Sequence, residues 1–250
     1  MPRLAALLLL LAGVLPAQAQ WQIFAENPPK PGTWARYRYE TVREGKVAST
    51  SELSFSTRPG PAVGDKACVW FTVEPVAWLG SREQAPLRLL LRADLGRAQA
   101  SRLIENAEEI VFSNPVKGSY HMTREDIAWV SKWANLSYVS ELQPDEPALE
   151  TIEAAGKSFA CERLRMRAST ITDPPIVPKQ TIEFTGTVWR AGDAPFGVIR
   201  AEWTEKTTKR DKVRLETRRL LLLASGWENP PAEPVERGRE FSVWRLIFGR

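Results

Sequence analysis

His121 is the single histidine of the chain, and it stands between Ser119-Tyr120, which read as strand, and a helix-start signal at Thr123. Zinc and copper sites are assembled from several imidazoles, thiolates or carboxylates, so one histidine does not make one. A serine triad would have to use His121 as its base, yet the sequence offers no Gly-x-Ser-x-Gly turn to present the serine. The acids Glu183, Glu202, Glu205 and Glu216 fall singly along polar strand faces, the pattern of solvated β surface. A glycosidase needs two carboxylates held across one cleft. Walker, Rossmann-glycine, EF-hand and Cys-x-x-Cys patterns are absent. The residue types predict no catalytic group, no metal centre and no cofactor.

The remaining chemistry-bearing residues are the two cysteines, a basic stretch and the tryptophans. Cys68 and Cys161 are either two separate thiols or a disulfide, which in the chain-entropy picture would close a loop of roughly 90 residues and add about 4–5 kcal/mol. Residues 200–219 hold the densest run of Lys and Arg. That run reads as a hairpin whose charges face water and discourage edge pairing, or as a surface for an anionic lipid or polymer. Ten tryptophans are the compositional outlier. They either fill the core of a strongly curved sheet or line a pocket for an apolar ligand.

These residues sit in a chain that begins like an exported protein. Arg3, the Leu7–Leu11 run and Ala17-Gln18-Ala19 together read as a signal peptide over residues 1–19, so the mature protein is expected to start at Gln20 in the periplasm or outside the cell. The leader carries one cation of a chain whose formal net charge is +4. A charge that small, in an exported protein, argues against nucleic acid as a partner. The apolar segment Leu4–Leu15 is short for a bilayer, and no later run approaches the ~20 residues a membrane helix needs, so no transmembrane segment is expected in the mature chain.

Asn27–Gly32, with three prolines and a glycine, makes residues 20–32 an extended lead-in outside the core, and residues 33–250 read as a single β-rich domain. Short runs of Tyr, Trp, Phe, Val and Thr then alternate with polar residues between turn signals. Thr33–Val42 and Val47–Thr57 form a hairpin around Glu44-Gly45-Lys46. Further strands are expected at Lys66–Val76, Pro86–Ala93, Arg97–Ile104, Leu136–Leu142, Leu149–Ala154, Lys157–Ala168, Gln180–Arg190, Val198–Thr207 and Val213–Leu223. Arg239–Phe248 is a final strand or a short docking helix. One segment breaks the rhythm. Thr123 followed three residues later by Asp126, with Ile127, Val130 and Ala134 at helical spacing, predicts a helix over residues 124–134. Trp129 and Trp133, four apart, share one of its faces.

Three stretches carry a resemblance: Gly32-Thr33-Trp34-Ala35-Arg36-Tyr37, then Gly156-Lys157-Ser158-Phe159-Ala160-Cys161, and Trp189 followed by Ala194-Pro195-Phe196-Gly197-Val198-Ile199-Arg200. Over residues 32–223 the chain resembles bacterial exported proteins related to the LolA-like lipoprotein-carrier superfamily. The resemblance implies a single large antiparallel sheet of about ten strands, curved into an unclosed half-barrel whose concave apolar face is partly covered by helix. It implies a concave face containing Tyr37, Tyr39, Phe55, Phe71, Phe184, Val188, Ile199 and Trp203. The helix bearing Ile127, Trp129, Val130 and Trp133 would be the lid. The corresponding function is non-catalytic binding of a lipid, an acyl chain or a lipid-bearing lipoprotein. The other reading is a cell-envelope adaptor with a solid core that meets protein partners at a sheet edge.

Overall fold

The structure, a computed structural model, describes residues 23–26, 28–77, 84–114, 118–175, 178–229 and 234–241. The expected signal peptide, residues 1–19, and most of the C-terminal Arg239–Phe248 stretch lie outside the described residues. Twelve strands form one unclosed sheet: β1 Thr33–Arg43, β2 Lys46–Pro59, β3 Cys68–Ala77, β4 Gln84–Arg92, β5 Glu109–Asn114, β6 Gly118–Thr123, β7 Ser137–Ala154, β8 Lys157–Thr172, β9 Gln180–Arg190, β10 Val198–Lys209, β11 Lys212–Trp227 and β12 Arg239–Glu240. Their order across the sheet is β12-β6-β5-β4-β3-β2-β1-β11-β10-β9-β8-β7. Neighbours run antiparallel except β12, which lies parallel to β6 and makes the sheet mixed.

The connection from β6 to β7 reveals the curvature. These strands lie ten steps apart in the sheet, an arc of roughly 48 Å at the usual strand spacing. Only residues 124–136 join them, and ten of these form helix α2, Arg124–Trp133. A ten-residue helix spans about 15 Å, and three more residues add about 10 Å. A chord of at most ~25 Å beneath an arc of ~48 Å requires a bend of more than half a turn. Register shifts within β1, β3, β7 and β10 supply local twist for that bend.

Helix α2 forms where the sequence predicts it, because its first turn is fully capped. Thr123 N–H donates to Asp126 Oδ2 at 3.0 Å, and Asp126 N–H donates to Thr123 Oγ1 at 3.3 Å. Ile127 and Val130 of α2 join the core.

Other expectations are corrected. Arg97–Ile104 is not a strand: Arg97–Ala100 is a short helix, α1, and the chain turns after it. Ala100, Leu103 and Ile104 are buried, a spacing of three and one that a helical turn can bury and a strand cannot. The two strands expected around Pro144–Pro147 are one strand, β7, with a register shift between Pro144 and Leu149. β5 and β6, unmarked by strong turn signals, are additional.

The lead-in also differs. Ile23, Phe24 and Ala25 form a helical turn and are 4%, 2% and 0% exposed, inside the main core. An apolar triplet ahead of a proline-rich linker has more to gain from the concave face than from water.

Candidate functional site

Alternation along each strand sends one set of side chains to the concave face, and pairing register aligns them in rows. Leu164, Val188 and Ala201 make one row, which Leu220 and Tyr39 continue. The next row is Met166, Gly186, Trp203, Arg218 and Thr41. A third is Ala168, Phe184, Glu205 and Glu216. The face is therefore apolar over most of its length and charged toward the tips of the β1–β2 and β10–β11 hairpins.

The structure brings the eight expected concave residues together. Tyr37, Phe55, Phe71, Phe184, Val188, Ile199 and Trp203 belong to one buried cluster, with Tyr39 half-buried against it. Among the described residues, rings from two of the chain's own turns pack against them. Phe24 stacks on Phe55 at 4.2 Å and meets Tyr37 edge-on at 5.3 Å. From the other side Phe196 packs against Phe55 and Phe71, with centroids 6.0 and 5.9 Å away. Phe196 is held at φ 61°, followed by Gly197 at φ 69°. The Pro195–Gly197 turn thus uses two consecutive left-handed residues to drive an aromatic ring into the core. Tyr37 donates its hydroxyl to the Val198 carbonyl at 2.9 Å, and burial pushes its pKa far above the ordinary range. Glu26 fixes the N-terminal turn by bonding Arg190 of β9 at 2.9 Å and Arg97 of α1 at 3.2 Å.

The lid residues divide. Ile127 and Val130 are buried, whereas Trp129 is 36% exposed and stacks on Trp133 at 6.2 Å with rings 4° from parallel. The tryptophans share a face as expected, but it is an outer face. The two residues that do enter the core lie three apart, on the stripe defined by Ile127, Val130 and Ala134.

The charged end overturns the expectation of solvated carboxylates. Glu216 is 6% exposed. Its Oε1 accepts from Arg43 Nε at 3.1 Å, Arg43 Nη2 at 2.6 Å and Arg214 Nη2 at 2.6 Å, while Oε2 accepts from Arg218 Nη2. Oε1 thus takes three N–H groups and Oε2 one, all of them charge-assisted. Burial alone would raise the Glu216 pKa, but the bonds from Arg43 and Arg214 and the charge of Arg218 outweigh it and hold the group below its usual value. Glu205, directly opposite Glu216 in the β10–β11 ladder, goes the other way. Burial raises it, and Arg218 and the Thr207 hydroxyl offset only part of that rise. Tyr39, beside them, is pushed up to about 12, mainly by burial. Held by guanidinium groups from Arg43 of β1 and Arg214 and Arg218 of β11, the Glu216 carboxylate braces those two strands against each other.

Elsewhere, Cys68 and Cys161 are both buried as free thiols, the first of the two alternatives the sequence leaves open. Cys161 lies in the main core, while Cys68 lies in a second cluster with Trp70, Leu90 and Val111. Burial raises both thiol pKa values. His121 lies on β6, in register with Glu240 of β12. Among the described residues no group of three or more His, Cys, Asp or Glu is placed to hold a metal ion, and no helix is long and apolar enough to cross a membrane. A polar cleft of about 30 Å3 lies between α1 and the start of α2. It has room for a water molecule, and its arginines are already paired, Arg92 with Asp94 and Arg124 with Glu108.

No protein-family model matches the chain, and no curated protein matches it. Two solved structures are similar in part. One is a candidate lipoprotein from Parabacteroides distasonis, 12% identical with a TM-score of 0.38, covering 80% of this chain and 97% of that one. The other is the hypothetical lipoprotein YmcC from Escherichia coli, 12% identical with a TM-score of 0.28, covering 82% of this chain and 88% of that one.

Proposed function

We propose that the protein is an exported, non-catalytic adaptor of the cell envelope, a half-barrel with a solid core that takes an extended segment of a protein partner onto a sheet edge. The signal-like residues 1–19 support export. The packing of Phe24 and Phe196 onto the concave aromatic residues supports a scaffold over a carrier.

The observation that carries the reading is the outer half of β2. Lys46–Glu52 are all exposed and Leu53 is buried. β2 pairs with β1 along its length but with β3 only from Ser54 onward. Among the described residues no strand pairs with Lys46–Leu53 on the side away from β1. The segment has no proline and a single lysine, so it lacks most devices that block an edge. Exposed edges of this kind accept an added strand through main-chain hydrogen bonds.

The test places a photo-crosslinking residue at Ala48 or Thr50 in cells, with Thr204 on the convex face as control. Reproducible crosslinks to one protein at the β2 positions, with slowed amide exchange over residues 46–53 in the recovered complex, are the expected result. Crosslinking no stronger than at Thr204 refutes the edge.

A second reading has its own observation. The turn bearing Phe24 reaches the concave face through a proline-containing linker, as a bound apolar chain would, so an acyl chain of a lipid or lipoprotein could replace it. Acyl-lipid uptake that increases when Phe24 is truncated would favour this reading.

A further inference from the structure

The charged end of the half-barrel is lopsided at its tips as well as tightly paired beneath them. The β1–β2 turn contributes Arg43, Glu44 and Lys46; the β10–β11 turn contributes Lys209, Arg210, Asp211, Lys212 and Arg214. Six cations thus stand against two acids, an excess equal to the formal +4 of the entire chain. The two turns are held side by side, because Arg43 and Arg214 both bond Oε1 of Glu216. Glu216 returns one charge from beneath, and the patch remains strongly positive.

Three aliphatic side chains share the same tips. Val47 is 51% exposed, Val213 57% and Leu215 62%. Single exposed aliphatics are ordinary on a protein surface. Here they cluster on two adjacent turns and alternate with cations along Lys212-Val213-Arg214-Leu215, so the strand offers charge on one side and hydrocarbon on the other. A soluble polyanion would make use of the cations alone. A bilayer with acidic headgroups uses both, phosphates against the cations and the interfacial hydrocarbon against the aliphatics.

We propose that this end of the molecule docks on an anionic lipid surface, tips first, with Lys46, Lys209, Arg210 and Lys212 meeting headgroup phosphates and Val47, Val213 and Leu215 entering the interface. The strands then stand away from the membrane and leave the β2 edge beyond Val47, residues 48–53, accessible. The inference goes beyond the adaptor reading, since it concerns a lipid partner and, apart from Lys46 and Val47, a different set of side chains.

The test is co-sedimentation of the purified protein with vesicles of phosphatidylglycerol and phosphatidylcholine, or of phosphatidylcholine alone. The expected result is binding only to the acidic vesicles, weakened by raising salt. Each cation at such a surface is worth about fivefold in partitioning, so Lys209→Gln, Arg210→Asn and Lys212→Gln together should cost about a hundredfold. Val213→Ser with Leu215→Ser should weaken binding separately. Residues 4–15 are common to every variant and cannot produce these differences. Thermal melting confirms folding, and Lys212→Glu alone provides a milder charge variant. Partitioning by the triple variant within about threefold of the parent overturns the proposal. Loss with the charge variants but not with the serine variants also overturns it, and assigns the patch to a polyanion or an acidic protein.

Discussion

Replacing Phe24 with alanine tests whether the N-terminal turn is a structural part of the core. The ring is 2% exposed and lies between Phe55 and Tyr37. A rigidly held Phe→Ala site costs about 3–5 kcal/mol. This turn has an alternative, because release from the groove avoids keeping a cavity. The loss is then limited to what the turn contributes. Burying Ile23 and Phe24 almost completely contributes about 5–6 kcal/mol together, the upper end for such side chains, and the Glu26–Arg190 pair about 1 kcal/mol. Ordering three or four residues costs about 4 kcal/mol. The balance is about 2–3 kcal/mol, below the rigid-cavity figure. With a urea m-value of about 2 kcal/mol per M, the unfolding midpoint should fall by about 1 M at unchanged m. Binding of a hydrophobic dye should appear as the aromatic face opens. A midpoint shift below about 0.3 M, with no dye binding, would refute the argument that residues 23–25 complete the core.

Four further outcomes are expected. Glu216→Gln should lower stability at neutral pH by about 2 kcal/mol, less than a fully buried pair because Arg43 and Arg214 remain largely in water. The stability from Glu216, whose pKa is depressed by folding, is present above the usual carboxylate range and fades as pH falls through its folded value. Glu205→Gln should instead raise stability at neutral pH, because a carboxyl whose pKa is raised on folding loses its contribution as pH rises through that window. Urea melts of both variants between acid and neutral pH check the opposite signs. Gly186→Ala should cost more than about 2 kcal/mol and fail to accumulate as folded protein, since a Cβ there would sit 2.1 Å from the Glu202 carbonyl oxygen and 2.5 Å from Trp203 Cα, both backbone atoms. A thiol reagent should find Cys68 and Cys161 slow in the native protein and count two thiols in urea without reductant; a count of zero would restore the disulfide.

What the sequence made legible follows the range of the interactions involved. Alternation along Lys157–Thr172 and the Thr123–Asp126 cap are local signals, and the elements they mark form as expected. The common burial of Tyr37, Phe55, Phe71, Phe184, Val188, Ile199 and Trp203 was legible through the same alternation. Phe24 and Phe196 were not, because each enters the core through a contact remote in sequence and a turn whose geometry no periodicity announces. The pairing of Glu205 with Glu216 was hidden for a related reason: both alternate as solvated residues would, and only strand register and the sheet's curl make their side inward. The two tryptophans of α2 mislead because four-residue spacing identifies a shared face without saying which face is buried.

Occupation of the concave face by the chain's own aromatic rings is the feature on which the adaptor reading, over the carrier one, rests. Native mass spectrometry of protein purified from its own envelope in high salt, followed by organic extraction, tests it most directly. The expected result is the mass of the polypeptide alone, unchanged after incubation with envelope lipids. One acyl lipid per chain, retained in high salt and lost on unfolding, would contradict it and return the concave face to the role of a binding site.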